Sequence, residues 1–302
     1  MTASPVLVVG DANVDLVLSG DVVPRFGQVE QLLDRADVVL GGSAAIAACG
    51  LARLGVPTTL AAVVGNDDFG RVALRALADA GVDTSAVRVD AVLPTGLSVI
   101  LSAPDDRAIL TLPGSIPTLR TDDVLTAAER CDPRWVHVAS PFLMPEFTAG
   151  LPGLLGALRG RGRDLRVSLD TNWDPSGDWR GVTGALPAVD VLLPNRTELD
   201  ALSAVADLSA AGVRVVVKDG AAGGWSAGLD GVRVSVPGLS LDVVDTTGAG
   251  DSFDAGYLAA IAHGVPDDRT RLRWATVAGS LSTRAAGGTG AQATLDELLS
   301  AL

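Results

Sequence analysis

Asp251 stands in a run of residues suited to meeting an anion. The segment Val243-Val244-Asp245-Thr246-Thr247-Gly248-Ala249-Gly250-Asp251-Ser252-Phe253-Asp254-Ala255-Gly256 follows a β-branched stretch at 232–236 and leads into an apolar stretch at 257–262. A strand, a glycine-rich turn and a helix start leave backbone N–H groups without intrahelical partners at the positive end of the helix dipole. Gly248 and Gly250 let an anion come close. A carboxylate beside such a site is electrostatically unfavourable unless it does chemistry. The chemistry that fits is general-base removal of a proton from a hydroxyl attacking a phosphate. Near a helix N-terminus the Asp251 anion is expected to be stabilised, which makes it a weak base in the ground state.

Other polar residues fall where a sheet edge is expected. Asn13 and Asp15 follow the first apolar strand, and Gly41 and Gly42 precede a helical stretch. Ordinary turn chemistry explains each of them, and so does binding of neighbouring sugar hydroxyls. Asn195-Arg196-Thr197-Glu198 reads as a helix cap with its capping-box glutamate. Beside a phosphate site, Asn195 and Glu198 also suit a hydrated Mg²⁺.

Three familiar sites are excluded. A Walker loop needs Lys before Ser or Thr, and the only lysine, Lys218, is followed by Asp219. A dinucleotide fingerprint counted from Gly248 and Gly250 requires a third glycine where Phe253 stands. Gly224-Trp225-Ser226-Ala227-Gly228 spells a hydrolase nucleophile elbow, but a turn and a second strand follow it in place of a helix, and the only later histidine is His263. It reads as a β-hairpin. His137 and His263 lack zinc-site spacing and read as structural, and Cys49 and Cys131 read as two buried thiols.

Positioning these groups requires a large α/β framework. The chain has 302 residues, enough for one domain with a full core. Strand-type runs at 6–9, 59–64, 135–139, 166–169, 189–193 and 213–217 alternate with helical periodicity at 44–54, 69–80, 122–130, 151–159 and 197–206. That alternation predicts a parallel sheet with helices on both faces. Strands at 224–229 and 232–236 and helices at 248–263 and 269–286 complete the pattern. Segments 15–40 and 91–112 break it, with short strand-like pieces and turns, and read as a small β-sheet lid. A net charge of −13 argues against nucleic-acid or anionic-membrane partners. No apolar run reaches a membrane span, and the first five residues do not read as a signal peptide, so a cytoplasmic location is expected.

These residues resemble, in order and spacing across the whole chain, the ribokinase-like (PfkB) carbohydrate and nucleoside kinases. The most specific match is 245–253, supported by 10–15, Gly41-Gly42, Ala52-Arg53-Leu54-Gly55, 64–70 and 195–198. The resemblance implies a Rossmann-like three-layer α/β fold with a nine-stranded or similar, mostly parallel sheet and a β lid that in some members forms a dimer contact. It implies an ATP-dependent kinase that phosphorylates a hydroxyl of a small sugar or sugar acid. Asp251 would be the base, and the N–H groups of Gly248, Ala249 and Gly250 would hold the transferring phosphoryl. Asn13, Asp15, Gly41 and Gly42 would bind the sugar. Lys218, Gly220 and Gly223 would lie along the nucleotide beside Asn195, with Glu198 holding Mg²⁺ through water. Asp245 and Thr247 fall where some members bind K⁺, near the 287–290 loop. Ile46 and Ala275 stand where members commonly carry Asn. With one Tyr and five Phe, few of them in the lid, a plain sugar or sugar acid is favoured over a nucleoside. Arg107 in the lid reads as solvated or as a partner for a substrate carboxylate. A nucleoside kinase, and a sugar- or nucleotide-binding protein without catalysis, are the alternatives.

Overall fold

The computed structural model describes residues 3–103, 107–160 and 164–302. Met1 and Thr2 of the expected leaderless start, and residues 104–106 of the expected lid segment, lie outside the described residues. The first apolar run becomes β1 (Val6–Val9), followed by β2 (Asn13–Gly20) and β3 (Leu33–Gly41). Then come α1 (Ser43–Arg53), β4 (Thr58–Gly65), α2 (Asp68–Asp79), β5 (Val87–Asp90), β6 (Gly96–Ser102) and β7 (Arg107–Leu112). The middle of the chain runs α3 (Thr121–Cys131), β8 (Trp135–Ala139), α4 (Pro145–Arg159), β9 (Arg166–Asp170), β10 (Val191–Leu192), α5 (Arg196–Val205) and β11 (Arg214–Lys218). It closes with β12 (Gly224–Ala227), β13 (Arg233–Val236), α6 (Ala249–Ala262), α7 (Asp268–Ser282) and α8 (Leu295–Ala301).

Nine strands form one sheet in the order β13-β12-β11-β10-β9-β8-β1-β4-β5. Pairings from β5 through β11 are parallel, and β12 and β13 add an antiparallel edge. Strand side chains alternate between faces, so each buried strand feeds two cores. Val6 and Val8 join Leu60, Ala62 and the helices α1 and α6 on one side. Leu7 and Val9 join Ala61, Val63 and the helices α3 and α4 on the other. Burial on both faces explains why these strands read as continuous Val, Leu and Ala runs without polar alternation. Among the described residues no helix is long and apolar enough to cross a membrane.

A separate four-stranded sheet in the order β3-β2-β6-β7 is built from the two segments that break the alternation. β2 pairs antiparallel with β3 and parallel with β6, and β7 closes the edge.

Several boundaries differ from the sequence expectation. β10 shrinks to two residues because the Val189 N–H still closes a tight turn on Leu186 O. α4 starts at Pro145, six residues early, and carries Pro152 inside it. Proline suits a first turn and is poor further in, so the sequence signal was split. α7 ends at Ser282, before the 287–290 loop. β5 and α8 were not anticipated. α8 is a short helix of seven residues, about two turns, announced only by the Thr294–Glu297 capping box.

The Gly224–Gly228 segment is an antiparallel hairpin, as expected from the absence of a following helix. Ser226 is buried and donates to the Asp268 carboxylate, which also accepts from Tyr257 Oη at 2.7 Å and Arg214 Nη1 at 3.0 Å. Its hydroxyl therefore ties the hairpin to α6 and α7. Replacing it, Ser226→Ala, is expected to lower unfolding free energy by about 1–3 kcal/mol while leaving turnover within about twofold. Denaturant unfolding beside an activity assay checks both. A loss of activity without a loss of stability would contradict this structural role.

Candidate active site

The carboxyl ends of β1, β8 and β9, the start of α6 and one face of the smaller sheet enclose a cavity of about 480 Å³. Ligand sites in open α/β sheets lie at this edge, because loops leaving parallel strands converge there. Of the residues singled out in the sequence, Asn13, Asp15, Gly42, Thr247, Gly248 and Asp251 line this one cavity. Among the described residues lining it, Arg107 is the one cationic side chain.

β2 supplies the polar floor. The Asn13 amide donates to Asp15 Oδ1 at 2.8 Å, and both side chains are buried. Burial raises the Asp15 carboxyl to about 6, against the lowering effect of the Asn13 hydrogen bond. Gly41 lies directly against Asp15, and a Cβ there would fall 2.1 Å from its Oδ1. Any side chain at Gly41 would therefore displace the carboxylate. Ile46 also faces the cavity, and its other side packs on Gly288.

The glycine turn is held by hydrogen bonds of its own. Gly248 adopts φ 70 as the N-cap of α6, and a Cβ on it would meet Gly288 Cα at 2.6 Å. Asp245 Oδ1 accepts from Thr247 N at 2.9 Å and Thr247 Oγ1 at 2.8 Å, and its Oδ2 accepts from Gly287 N at 2.9 Å. Partial burial works against the anion there, but these donors hold the carboxyl below its usual range. The 287–290 loop, Asp245 and Thr247 thus meet at one corner, as the resemblance implies. The Ala249 N–H is turned back onto Thr246 O at 3.2 Å. From the smaller sheet, Arg107 Nη1 donates to Thr247 Oγ1 at 3.1 Å, closing the cavity over the turn.

Asp251 behaves differently from its sequence expectation. It is 8% exposed, in the first turn of α6, and its carboxyl rises from 3.8 to about 8. Burial is the main cause and the Asp170 carboxylate the second, with Lys218 pulling the other way. A helix N-terminus supplies about 0.3–1 kcal/mol to a nearby anion, up to ~2 in buried geometries. Since one pKa unit is about 1.4 kcal/mol, loss of solvation outweighs the dipole. Asp251 is a stronger base than its helix position alone suggests.

Behind the turn lies the only lysine. Lys218 Nζ donates to Asp170 Oδ2 at 2.7 Å and Asp254 Oδ2 at 3.2 Å, and its aliphatic stem runs under Gly250. Burial opposes its charge, yet the surrounding carboxylates hold its pKa up. Asp170 is buried as well, and the ammonium keeps its carboxyl low, whereas burial drives Asp254 well up. Asp170, Asp251 and Asp254 offer carboxylate oxygens within 4.8 Å of one another. Lys218 is therefore held in this cluster by its hydrogen bonds.

Asn195 caps α5 and closes the capping box with Glu198, whose Oε2 accepts from Asn195 N at 2.8 Å. Glu198 is nonetheless 5% exposed, and burial together with Asp170 raises it to about 7. The plain cap geometry is thus present, with an unusually buried glutamate beside Asp170. Carboxylate oxygens of this kind suit Mg²⁺, and Asp254 Oδ1 is buried with no partner among the described residues, so the donor set fits a hard cation. Gly220 (φ 55) and Gly223 (φ 93) shape the tight turn between β11 and β12. Ala275 is buried against α6 with Phe253 and Tyr257.

Sequence reasoning missed Asp11, Ser43, Ser140, Asn172 and Trp173 of the cavity wall. The Asp11 carboxylate accepts from Ser43 N at 3.2 Å and Ala44 N at 3.0 Å, capping α1 across a gap of more than thirty residues. Asn172 accepts from Ser140 N at 3.0 Å and donates to Ser43 Oγ at 2.9 Å. These contacts are long-range, and no local pattern announces them. His137 is fully buried on Ser168 Oγ, its pKa lowered by burial to about 4. His263 bonds Leu54 O, Cys49 is buried and Cys131 half-buried, both as free thiols.

Comparison with known proteins matches this architecture. The family model described as pfkB family carbohydrate kinase matches residues 3–295. The chain is 33% identical to a fructokinase of Klebsiella pneumoniae, over 93% of each chain. A solved Arabidopsis thaliana ribokinase complexed with ribose and ATP superposes with a TM-score of 0.84 at 26% identity, covering 99% of this chain and 98% of that one. A putative ribokinase II from E. coli in complex with ATP and Mg²⁺ has the same fold, with a TM-score of 0.85 at 22% identity over 98% of each chain. With a family model spanning nearly its whole length and a relative of this identity, the chain belongs to the pfkB family of carbohydrate kinases.

Proposed function

We propose that this carbohydrate kinase transfers the γ-phosphate of ATP to a hydroxyl of a small sugar or sugar acid held in the cavity, with Asp251 as general base. The observation that carries this reading is the Asp251 carboxyl itself. It is buried in the cavity wall beside Gly248, with its pKa raised to about 8. A base is most effective when its pKa lies near the working pH, where it is largely available yet still binds a proton strongly.

In this reading the sugar rests on Asn13 and Asp15, with Gly41 and Gly42 admitting it close to the backbone. The hydroxyl to be phosphorylated faces Asp251. The N–H groups of Gly248 and Gly250 receive the developing phosphoryl charge, with Ala249 joining once its N–H leaves Thr246 O. Asn195, Gly220 and Gly223 flank the nucleotide. Lys218 acts from beneath the turn by neutralising Asp170 and Asp254. Asp170 and Glu198 would hold Mg²⁺, which would supply charge neutralisation on the phosphates. K⁺ at the Asp245–Thr247 corner belongs to the same reading. The smaller sheet, formed by about residues 15–40 and 91–112, serves as a lid that excludes water from the transfer step. Arg107 extends the substrate range to acids, since it brings a guanidinium to the cavity.

The smaller sheet also supports a homodimer. Leu110 and Leu112, on the face of its edge strand turned away from the cavity, are 61% and 52% exposed, an apolar patch that a second copy would cover.

Five outcomes test this reading. An ADP-release screen over pentoses, hexoses, sugar acids and nucleosides, with and without K⁺, is expected to give turnover with a sugar or sugar acid. Binding without turnover across the panel would favour the non-catalytic alternative. Asp251→Asn should keep ATP binding and lose about 10²–10⁴-fold in kcat, measured by single-turnover phosphoryl transfer. kcat/KM should rise with pH towards about 8, because the base must be deprotonated. Stability should run the opposite way. A raised carboxyl stabilises the fold below its ordinary pKa near 4, and that contribution is lost as pH climbs to about 8. Asp251→Asn should therefore gain stability relative to the parent protein between these limits, read as a difference in Tm that widens with pH. Finally, Leu110→Asp should shift a dimer to monomer in light scattering without loss of fold.

A further inference from the structure

The loop after β9 carries a tryptophan into the cavity and holds two of its other residues in the left-handed region. Trp173 lines the cavity and is 59% exposed, the largest apolar side chain left open there. It lies between two non-glycine residues in the left-handed region, Asn172 at φ 51 and Trp179 at φ 60. Asparagine tolerates that conformation, but for a bulky residue such as tryptophan it is an outlier. Outliers of this kind persist only where the surroundings over-determine them, and they gather at ligand clamps.

The surroundings do over-determine this loop. Asp174 is buried, and its carboxylate accepts from Ser176 N at 2.8 Å and Trp179 N at 2.7 Å, curling the chain back on itself. Asn172 is pinned to Ser140 and Ser43. The Trp173 ring meets the Trp179 ring edge to face, 5.3 Å between centroids at 86°, and Trp179 in turn meets Phe142 at 5.5 Å and 79°. Trp179 is 4% exposed, so the outer ring rests on a buried one. Trp173 is thus held still and held open. Leu143 and Pro175 extend the same wall, and Ile100 and Ile109 come from the smaller sheet.

We propose that Trp173 is a specificity-determining platform on which an apolar face of the substrate stacks while its hydroxyls rest on Asn13 and Asp15. That face is the C–H side of the sugar ring or a heteroaromatic ring attached to it. An aromatic surface gains from either, through dispersion and the quadrupole of its π-system. The proposal rests on the kinase reading only for which ligands to try, since stacking is measurable without turnover.

The test compares the full-length protein with Trp173→Phe and Trp173→Ala, using ribose, fructose and adenosine as probes. Ligand titration without ATP should quench tryptophan fluorescence in the parent protein, and the quench should fall by more than half in Trp173→Phe. KM should rise about tenfold or more in Trp173→Ala, with kcat within about threefold, and Trp173→Phe should restore most of it. A KM rise for sugars and adenosine alike assigns the platform to the sugar ring, and one confined to adenosine assigns it to the base. Unchanged KM in Trp173→Ala, or an undiminished quench in Trp173→Phe, overturns the proposal. If the parent protein turns over none of these three probes, the kinase reading is decided by the wider ADP-release screen, and the quench still decides the role of Trp173. Unchanged melting of Trp173→Phe separates these results from misfolding.

Discussion

One buried ammonium holds the site together. Lys218 is the only lysine in the chain, and its charge lies among Asp170, Asp254 and Glu198 behind the glycine turn. Burying a charge is tolerated only when partners replace the lost water, and removing one partner of such a group costs about 3–5 kcal/mol. Asp170 is that partner from β9, Asp254 from α6, and Lys218 itself ends β11. The ion pairs therefore fasten two neighbouring regions of the main sheet to the helix that carries Asp251. They also decide its chemistry. Burial raises the Asp251 pKa most, Asp170 adds to it and Lys218 opposes it, so burial and its charged neighbours set this carboxyl more than its helix terminus does.

The two sheets divide the work around that centre. The main sheet is covered on both faces and supplies a rigid edge, where Asn172 bonds Ser140 and, with Asp11, bonds Ser43 at the start of α1. The smaller sheet is wet on one side and supplies the floor and roof, from Asn13 and Asp15 on β2 to Arg107 at the start of β7. The contact from Arg107 to Thr247 is where the two meet over the cavity. A negatively charged protein that handles anions needs local positive potential, and here it comes from one lysine beneath the turn, one arginine above it and the backbone of α6.

Legibility followed the range of the interactions. The α/β alternation was readable because strands buried on both faces must be apolar throughout, as in Val6–Val9 and Thr58–Gly65. The glycine turn was readable because Gly248 and Gly250 answer a local demand for φ and close approach. The hairpin at Ser226 was readable from what fails to follow it. By contrast, β10 and the start of α4 depend on a tight turn and on prolines whose placement is set by packing. Asp11 gave no signal, because its role as a remote cap for α1 depends on bringing β1 beside Ser43 and Ala44.

The sequence by itself determined the family, the order of layers, and the residues from Asn13 to Asp251 that converge on one cavity, since local backbone chemistry and hydrophobic period encode them. Tertiary structure alone decided how those residues behave. Burial raised the pKa of the Asp251 carboxyl when its helix position pointed the other way. Ion pairing turned Lys218 inward. A strained loop opened Trp173 to the cavity. Desolvation, charge pairing and ring packing depend on neighbours distant along the chain, so they come into being only when the sheets close around the site.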